Sequence, residues 1–582
     1  MKRTPIALVL MLAIPVFCAA LRVRAQERPA AAPTRVTLRL TDGTSITGTT
    51  TTPGAAEIQL LGTDKKIHLL RKSGERYRQV TSQTDWPSYH GHTEGNRYSA
   101  LAKITRENVS KLTPKWTFAM PGGNRLQTTP IVVDGVMYVT SANECFALDA
   151  GTGAVIWHYQ QPRTRGLLGV AAGGVNRGVA VAGPRVFMVT DHAHLLALDR
   201  MNGSLIWDVE MADYKQNYDA TGAPLAIGTL VITGVGGGDN GSRGFVIAVD
   251  QASGKEAWRF WTVPKSGEPG AETWKGKAID HPGGATWMTG SYDATLDTLY
   301  WAVGNPGPDM IGDDRLGDNL YTDSVVALDP KTGQKKWHFQ FTPHDTWDYD
   351  AEQPLTLVDA TWNGAPRKLL VQANRNGFFY VLDRTSGEFL LGTKYAKEVT
   401  WASGLTPAGR PIVAADQEPT VEGRRVCPAL EGASNWYSAA YDPSTTLFYV
   451  QTNDRCGVFN RQPNAEWQAG RGFMGGTYKG APDEPARRVL RAIDVQTGRV
   501  AWELPQEGRV NSWGGVLATA GGVVFFCSDD GAFAAVDSKT GMPLWSFPSP
   551  QIWKASPMTY VFDNAQYVAV ANGGSIMAFG LP

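Results

Sequence analysis

Short apolar runs alternate with glycine-containing turns along most of the chain, and one such pattern recurs seven times. The pattern is an apolar residue, any residue, Asp, any two residues, one residue that is Thr, Ser or Asn, and then Gly. In six of the seven copies, Trp stands four residues after the Gly. The copies are FALDAGTGAVIW from Phe146, LALDRMNGSLIW from Leu196, IAVDQASGKEAW from Ile247, VALDPKTGQKKW from Val326, YVLDRTSGEFLL from Tyr380, RAIDVQTGRVAW from Arg491 and AAVDSKTGMPLW from Ala534. Each predicts a strand, a tight turn and a second strand.

Two further strand-like runs precede each copy, which gives a unit of four antiparallel strands. Such a unit, repeated radially, is typical of a β-propeller blade. The C-terminal stretches YVAVANGG and SIMAFGL supply three-quarters of another unit, and its Trp strand stands at Lys115 to Phe118. The pattern therefore predicts an all-β fold, an eight-bladed β-propeller over residues 85–582, in which the last blade is closed by both ends of the repeat region.

The first 84 residues have a different character. Lys2 and Arg3 precede an uncharged run over residues 6–21, which predicts a signal peptide over 1–25, cut after Ala25. Residues 26–34 are rich in Pro and Ala and indicate a linker, and 35–80 alternate like the strands of a small, barrel-like β module. No second apolar run reaches membrane length, so we expect an exported chain without a transmembrane segment once the signal peptide is removed.

Charge and cysteine content limit the classes of partner that the chain can have and the state of its thiols. Lys and Arg together number 55, as do Asp and Glu, so the chain lacks the basic excess that nucleic-acid binding or an anionic membrane surface requires. A small, neutral or polymeric partner is favoured. In an oxidising compartment, Cys427 and Cys456 flank one segment and predict a disulfide, while Cys145 and Cys527 are expected to be buried thiols.

Polar residues that the repeat does not need recur at two places in each unit, at the start of the first strand and after the second. In an antiparallel blade these two places lie at the same end, so the side chains should converge on one mouth of the central channel, where ligands bind. They are Gln127, Arg177, Thr221, Trp287, Asp348, Asn435 and Trp513 at the first place, and Asp239, Asn305 and Arg375 at the second.

The segment TPHDTWDYD over residues 342–350 carries the sharpest chemistry. If it is strand-like, Asp348 and Asp350 point the same way, and two such acids share a proton, bind a cation, or divide the roles of ligand and base. An isolated pair of this kind is usually solvated. Here the oxygen donors suit a hard cation such as Ca²⁺, the two arginines suit carboxylates, and Trp287 offers a flat face. Together they predict a pocket for a planar, polyanionic, metal-chelating molecule.

Several separated motifs, in order, resemble the pyrroloquinoline quinone (PQQ)-dependent alcohol dehydrogenases, relatives of methanol dehydrogenase large subunits. The resemblance covers residues 85–582 and is carried by the repeat and by GGVNRG (173–178), GGDNGSRG (237–244), TWMTGSYD (286–293), GNP (304–306), TPHDTWDYD, NRNGFFYVLDRTSG (374–387) and SWGG (512–515). It implies that Asp348 is the catalytic base and that Trp287 is the floor under PQQ. It implies PQQ contacts for Gln127, Arg177, Thr221, Arg375, Asn435 and Trp513, and metal ligands in Asp239, Asn305, Asp348 and Asp350.

The chain departs from the family pattern at three places. Ala171 and Ala172 stand where methanol dehydrogenases have adjacent cysteines, so the wall above PQQ must differ. Asp239 replaces a metal-binding Glu and is one methylene shorter. Asp350 resembles the extra carboxylate of lanthanide-dependent members, although related sugar dehydrogenases also have an acid there, so the resemblance favours a lanthanide modestly over Ca²⁺.

The resemblance implies periplasmic oxidation of an alcohol or another hydroxylated compound. The sequence has no CxxCH haem site, so a separate cytochrome c or quinone is expected to accept the electrons. Two alternatives stay open. One is a sugar, polyol or polymer substrate, because the insertions that would build the substrate chamber have no sequence motif that identifies a substrate. These insertions are 264–284, 306–322 and 395–434. The other is a non-catalytic propeller scaffold, which has no use for acids and arginines at one mouth.

Overall fold

The computed structural model describes residues 32–64, 66–80, 82–508 and 512–582. The expected signal peptide and the linker up to residue 31 lie outside the described residues. Among those described, no helix is both long and apolar enough to cross a membrane.

The described chain begins with a five-stranded antiparallel sheet whose strands pair in chain order. The predicted alternation in this region thus forms strands, and Leu40 and Tyr77 make a parallel bridge that brings the last strand back to the first. Its apolar side buries Ile58, Leu60 and Leu70. The strands are β1 (Thr34–Arg39), β2 (Ser45–Thr50), β3 (Glu57–Gly62), β4 (Ile67–Ser73) and β5 (Arg76–Val80).

Three short strands follow and pair far along the chain rather than with one another: β6 (Ser82–Thr84), β7 (Tyr98–Ser99) and β8 (Thr113–Ala119). The first five copies of the repeat then each lie in a sheet of four consecutive antiparallel strands. These are β9 (Ile131–Val133), β10 (Val136–Ser141), β11 (Glu144–Asp149) and β12 (Val155–Gln160); β13 (Ala180–Ala182), β14 (Arg185–Val189), β15 (His194–Asp199) and β16 (Leu205–Glu210); β17 (Leu225–Ile227), β18 (Leu230–Gly234), β19 (Phe245–Asp250) and β20 (Glu256–Trp261); β21 (Ser291–Asp293), β22 (Thr298–Ala302), β23 (Ser324–Leu328) and β24 (Lys335–Gln340); β25 (Thr356–Trp362), β26 (Ala365–Ala373), β27 (Phe378–Asp383) and β28 (Glu388–Lys394).

The sixth copy is interrupted by extra strands. Its own sheet joins β32 (Ala440–Asp442), β33 (Leu447–Asp454), β36 (Arg487–Asp494) and β37 (Val500–Pro505), and β33 pairs directly with β36. The additional strands are β29 (Ala402–Leu405), β30 (Pro411–Val413), β31 (Arg424–Val426), β34 (Gly457–Arg461) and β35 (Gly476–Gly480). The insertion that carries β34 and β35 was not among the predicted chamber segments.

The last two sheets unite both ends of the repeat region. The seventh copy holds β38 (Val516–Thr519), β39 (Val523–Cys527), β40 (Ala532–Asp537) and β41 (Pro543–Pro548), with β7 beside β38. The final strands β42 (Met558–Phe562), β43 (Ala565–Asn572) and β44 (Ser575–Gly580) are flanked by β6 and β8. Trp116 in β8 pairs with Ala578 in β44, so the expected pairing of the Trp strand with the C-terminal strands is present.

The Asp, Gly and Trp of the repeat tie several neighbouring sheets together. In the first copy, Asp149 accepts the main-chain N–H of Gly151 at 2.8 Å, and the indole of Trp116 donates to the Ala150 carbonyl at 3.1 Å. Gly153 has φ of +73°, and a Cβ there would lie 2.6 Å from the Trp116 ring. The turn therefore needs glycine both for its conformation and for the close approach of the neighbouring Trp. Trp157, Trp258 and Trp502 donate in the same way to Arg200, Pro330 and Ser538.

Helices are few and short. The α-helix α1 spans Gly169–Ala172, and single 3-10 turns occur at Val109–Lys111, Tyr214–Gln216, Gly238–Asn240, Ala271–Thr273, Lys277–Asp280 and Asp313–Arg315. The predicted disulfide between Cys427 and Cys456 is confirmed. Cys145 and Cys527 are free and buried, as expected, and burial raises the pKa of both thiols.

Candidate functional site

One cavity of about 400 Å³ collects nearly all of the polar residues that the repeat does not need. The ten residues predicted from the strand ends, together with Asp350, all line the cavity except Asn305. The main-chain N–H of Asn305 donates to Asp350 at 2.9 Å. The lining includes Gln127, Arg177, Thr221, Asp239, Trp287, Asp348, Asp350, Arg375, Asn435 and Trp513. The prediction that these side chains converge is confirmed, whereas their individual roles stay predictions.

The sheets explain this convergence. Each residue of the first kind stands in the segment that enters the first strand of its sheet, as Arg177 does before β13. Each residue of the second kind leaves the second strand, as Asp239 does after β18 and Arg375 after β26. Because neighbouring strands are antiparallel, both segments lie at the same end of the sheet.

The segment that carries Asp348 and Asp350 is an irregular loop, so the strand premise was wrong. Both residues have positive φ, +60° and +34°, a conformation that Asp tolerates better than most residues. Asp345 holds the loop by accepting the main-chain N–H groups of Trp347 at 2.8 Å and Tyr349 at 2.5 Å. The two carboxylates still meet, because the loop turns both toward a single arginine.

That arginine is Arg375. Its Nη1 donates to Asp350 at 2.6 Å, and its Nη2 lies 3.2 Å from an oxygen of Asp348. All three side chains are buried, with at most 8% exposed. Burial raises the pKa of Asp348 well above its ordinary value, and the Arg375 charge acts in the opposite direction. The guanidinium therefore favours the ionised form of a carboxylate that burial alone would protonate.

Asp239 faces the same space from the 3-10 turn after β18. Its side chain is open to the cavity, and its main-chain carbonyl accepts the N–H of Phe473 from the β34–β35 insertion. Burial within the molecule and the charge of Asp350 raise the pKa of Asp239 to about 6, although Arg375 acts in the opposite direction. Three acids with one arginine leave an excess of negative charge that suits a cation.

The other side of the cavity is aromatic and cationic. Arg177 is buried between Trp287 and Trp436, with its guanidinium carbon 4.9 Å and 4.6 Å from the ring centroids. It donates to the Thr221 hydroxyl. Burial lowers the pKa of Arg177 to about 10, so it stays charged at neutral pH and is oriented by stacking and by Thr221.

Among the cavity residues that sequence reasoning missed are Asp219, Glu431, Trp436 and Lys554. Trp436 adjoins the predicted Asn435, and Asp219 lies two residues before the predicted Thr221, so position in the repeat is the signal that would have found them. Burial and the charge of Asp239 raise the pKa of Asp219 to about 7. Lys554 comes from the loop before β42, where no motif marks it.

The helix α1 forms another part of the wall. Gly169 and Val170 line the cavity, while Arg163 donates to the carbonyls of Ala171 at 2.7 Å and Ala172 at 3.2 Å. The place where the resembling methanol dehydrogenases carry adjacent cysteines is thus a short helix held by an arginine.

Known proteins match this chain over most of its length. A family model described as PQQ, glucose/ethanol/alcohol dehydrogenase, β-propeller domain, matches residues 86–399 and 483–568. The quinoprotein alcohol dehydrogenase PedH of Pseudomonas putida is 36% identical over 516 residues, which are 84% of this chain and 86% of that protein. A lanthanide-dependent methanol dehydrogenase of Methylorubrum extorquens is 34% identical, over 82% of this chain and 85% of the relative.

Two solved structures share the fold. The quinohemoprotein alcohol dehydrogenase of Comamonas testosteroni has a TM-score of 0.81 at 32% identity, covering 86% of this chain and 81% of that chain. A europium-containing methanol dehydrogenase has a TM-score of 0.80 at 30% identity, covering 86% and 98%. The all-β architecture described above is therefore the propeller fold of these dehydrogenases.

Proposed function

Because the chain belongs to the PQQ-dependent glucose, ethanol and alcohol dehydrogenase family, we propose that it oxidises an alcohol or a similar small hydroxylated compound with PQQ and one metal ion. The observation that carries this proposal is the cavity itself. In this cavity Asp348 forms an ion pair with Arg375 and lies beside two further acids. The stacked pair of Arg177 and Trp287 lies on the opposite side. A base, a cation site and a flat anion-binding wall in one enclosure are what this reaction needs.

The unpaired donor and acceptor atoms of the cavity fit the cofactor. Gln127 Oε1 and the Nε atoms of Arg177 and Arg375 are enclosed without a hydrogen-bond partner in the part of the chain that the structure describes. Unpaired buried polar atoms are costly, and a planar carboxylated quinone offers partners for them. We assign PQQ contacts to Gln127, Arg177, Thr221, Trp287, Arg375, Asn435 and Trp513.

The cation site fits a hard metal ion. Its donors are all oxygen, from Asp239, Asn305, Asp348 and Asp350, which suits Ca²⁺ or a lanthanide and not Zn²⁺. Both oxygens of Asp350 already accept hydrogen bonds, from Asn305 and Arg375, but a carboxylate oxygen has a second lone pair free for a metal.

Asp348 acts as the general base and removes the hydroxyl proton of the substrate. Arg375 favours the ionised form of Asp348 and fixes its orientation, and Asp345 holds the loop that presents it. When bound, PQQ supplies the acceptor for the hydride of the alcohol carbon, and the cation supplies a Lewis acid.

The electrons pass to a separate acceptor, a cytochrome c or a quinone, in the periplasm after removal of the signal peptide over residues 1–25. The absence of a CxxCH motif in the sequence supports a separate acceptor, and the uncharged run behind Lys2 and Arg3 supports export.

We also propose that the propeller has eight blades. Seven sheets contain the seven copies of the repeat, and the eighth joins β8 with β42 to β44. Support comes from two hydrogen bonds at the ends of the series: Trp116 of this sheet donates to the turn of the first copy, and Trp545 of the seventh copy donates to Leu112, just before β8.

The test of the function is reconstitution. The apoprotein is supplied with PQQ and either Ca²⁺ or La³⁺, and dye reduction is followed with primary and secondary alcohols, polyols, sugars and polyvinyl alcohol. We expect turnover with a subset of the alcohols that depends on both PQQ and metal. No turnover with any compound, in protein whose absorbance shows bound quinone, would overturn the enzyme proposal.

A further inference from the structure

The turn over residues 236–240 forms a continuous part of the cavity wall and carries Asp239. It lies between β18 and β19, outside the strands of its sheet. The turn contains Gly237 at φ of +95° and is followed by Gly241 at φ of +80°. Because glycine leaves the backbone many accessible conformations, contacts from outside the turn are needed to hold Asp239 in one position at the cavity.

The hairpin formed by β34 and β35 supplies such contacts. The loop at its tip, residues 462–475, lies against the turn and donates two hydrogen bonds to it. The indole N–H of Trp467 donates to the carbonyl of Asn240 at 2.8 Å. The main-chain N–H of Phe473 donates to the carbonyl of Asp239 at 3.0 Å. An insertion in the sixth copy of the repeat thus holds a turn that belongs to the third copy.

The ring of Trp467 is itself fixed while it donates. It stacks on His281, with the two ring centroids 3.9 Å apart and the planes 8° from parallel. A Cβ built on Gly241 would lie 2.5 Å from Cδ1 of the same indole. Glycine at position 241 therefore serves both the positive φ and the close approach of Trp467.

Asn217 connects the loop of the hairpin to the turn through one side chain. It stands in the segment before β17 and is 6% exposed. Its Nδ2 donates to the carbonyl of Asn240 at 2.8 Å and to that of Arg471 at 3.2 Å. Its Oδ1 accepts the main-chain N–H of Gly470 at 2.7 Å. The buried amide therefore bonds to both segments at once.

The same hairpin reaches two other segments near the cavity. The N–H of Met310 donates to the carbonyl of Met474 at 2.9 Å, which holds the loop that follows Asn305. The hydroxyl of Tyr478 in β35 donates to the carboxylate of Glu431 at 2.6 Å, and Glu431 lines the cavity. Three segments from different sheets and loops are thus bonded to one insertion.

We propose that the β34–β35 hairpin is a brace that positions the Asp239 turn, with Trp467 and Asn217 as its positioning residues. This inference rests on the proposed function, in which Asp239 is a ligand of the cation. The hydrogen bonds of the brace restrict the turn before any ligand binds. Less conformational freedom is then lost on binding, and this preorganisation raises affinity.

Trp502 offers a matched comparison for Trp467. Both indoles are half-buried, and that of Trp502 donates to the carbonyl of Ser538 at 3.1 Å. A Cβ built on Gly541, which has φ of +73°, would lie 2.5 Å from the Trp502 ring. These contacts belong to the turn between β40 and β41, away from the cavity. Trp502→Phe therefore removes the same kind of donor without touching the brace.

The experiment compares the apoproteins of the wild type, Trp467→Phe, Asn217→Gly and Trp502→Phe. Phenylalanine keeps a ring against His281 but lacks the indole N–H, and glycine adopts the φ of +67° of Asn217 but lacks the amide. In the first two variants we expect the amides of residues 236–242 to exchange hydrogen at least about fivefold faster, as the loss of one hydrogen bond predicts. Trp502→Phe should change their exchange by less than about twofold.

Calorimetric titration of the same apoproteins with La³⁺ measures the effect on the cation site. We expect Trp467→Phe and Asn217→Gly to weaken La³⁺ binding by at least about threefold and Trp502→Phe to leave it unchanged. A loss of general stability would not separate Trp467→Phe from Trp502→Phe, whereas a positioning role does.

Wild-type exchange of residues 236–242 in both brace variants would overturn the inference, as would equal changes in Trp502→Phe. Faster exchange with unchanged La³⁺ affinity, or a wild type that binds no La³⁺, would overturn the role in positioning a ligand. If Asn217→Gly does not fold, Trp467→Phe decides alone. Failure of the proposed function is seen separately, as absent alcohol oxidation by the PQQ-loaded wild type, because exchange in the apoprotein needs neither PQQ nor alcohol.

Discussion

The guanidinium of Arg375 donates to the carboxylate of Asp350 at 2.6 Å inside a cavity wall where both side chains are buried. Arg375 leaves β26 and Asp350 enters β25, so the pair also joins two segments at the same end of one sheet. A buried pair of this kind is costly to break, by about 3–5 kcal/mol, because the surviving charge is left uncompensated. The two residues therefore depend on each other before any cation binds.

Replacing Asp350 should separate the two kinds of metal. We expect Asp350→Ala to abolish activity supported by La³⁺ while sparing activity supported by Ca²⁺, because a trivalent ion needs the additional carboxylate. Dye-linked turnover of PQQ-loaded protein at graded metal concentrations measures this. Asp350→Asn keeps the size of the side chain and should behave as Asp350→Ala does if charge is the reason. Equal activity with both metals would make Asp350 a structural partner of Arg375.

Replacing the base should remove turnover and leave the cofactor in place. We expect Asp348→Asn to lower kcat by about 10² to 10⁴, the usual contribution of general-base catalysis. Quinone absorbance should show that PQQ is retained. Asp314→Asn, an exposed acid of the nearby 3-10 turn, serves as the control and should keep wild-type turnover. Unchanged kcat in Asp348→Asn would assign the base elsewhere.

Arg177 should act on PQQ affinity more than on the rate of the loaded enzyme. Lysine keeps the charge but cannot stack in plane between Trp287 and Trp436, so we expect Arg177→Lys to weaken PQQ binding by about tenfold or more. An equilibrium titration of apoprotein with PQQ measures the effect. Arg243 stacks over Trp261 at 4.6 Å away from the cavity, and Arg243→Lys should leave PQQ affinity unchanged. A similar loss in both variants would indicate general destabilisation.

The disulfide should stabilise the fold without serving the reaction. Cys427 and Cys456 are 29 residues apart, and closing a loop of that length contributes about 3–4 kcal/mol. We expect the Cys427→Ser, Cys456→Ser double variant to lose about that free energy of unfolding in urea. Dithiothreitol should lower the Tm of the wild type to that of the double variant and should not affect the variant further. A reductant effect on the variant would point to another cause.

The stability of the protein should fall in mild acid through His338. Burial, and then the charge of Lys335, lower the pKa of His338 to about 4, below its ordinary 6.5. A depressed pKa means that the folded state resists protonation, so stability is retained above pH 6.5 and is lost as pH falls toward 4. Allowing for partial exposure, we expect a loss of about 1–2 kcal/mol between pH 7 and pH 5.

Denaturation of His338→Gln at the two pH values checks this, because its loss between them should be smaller than that of the wild type. Lys335→Met removes the second cause and should reduce the loss in part. If the wild type and His338→Gln lose the same free energy of unfolding between the two pH values, another group causes the loss of stability in acid.

The sequence predicted the fold well because its local and long-range signals agree. Asp149, Gly153 and Trp116 each have one task in a turn and recur at fixed spacing, so the pattern reveals the sheets and the pairing of β8 with β44. The polar residues at strand ends were found for the same reason, since position within a repeat fixes which mouth a side chain faces.

The rest of the site escaped prediction where the chain leaves the repeat. The loop before β25 turns through positive φ at Asp348 and Asp350, which a two-residue alternation does not reveal. Phe473 lies in an insertion whose sequence has no period, so only three-dimensional packing brings it to the Asp239 turn. Lys554 belongs to a connecting loop and carries no motif.

The pairing of β8 with β44 also determines when the last sheet can form during synthesis of the chain. Trp116 and its strand partner Ala578 are separated by several hundred residues of chain. During synthesis, the hydrogen-bonding edge of β8 stays unpaired until those residues have been made. The final sheet forms only after β42 to β44 have been made, so a nascent chain, or one truncated before them, exposes a strand edge prone to aggregation that the folded protein covers.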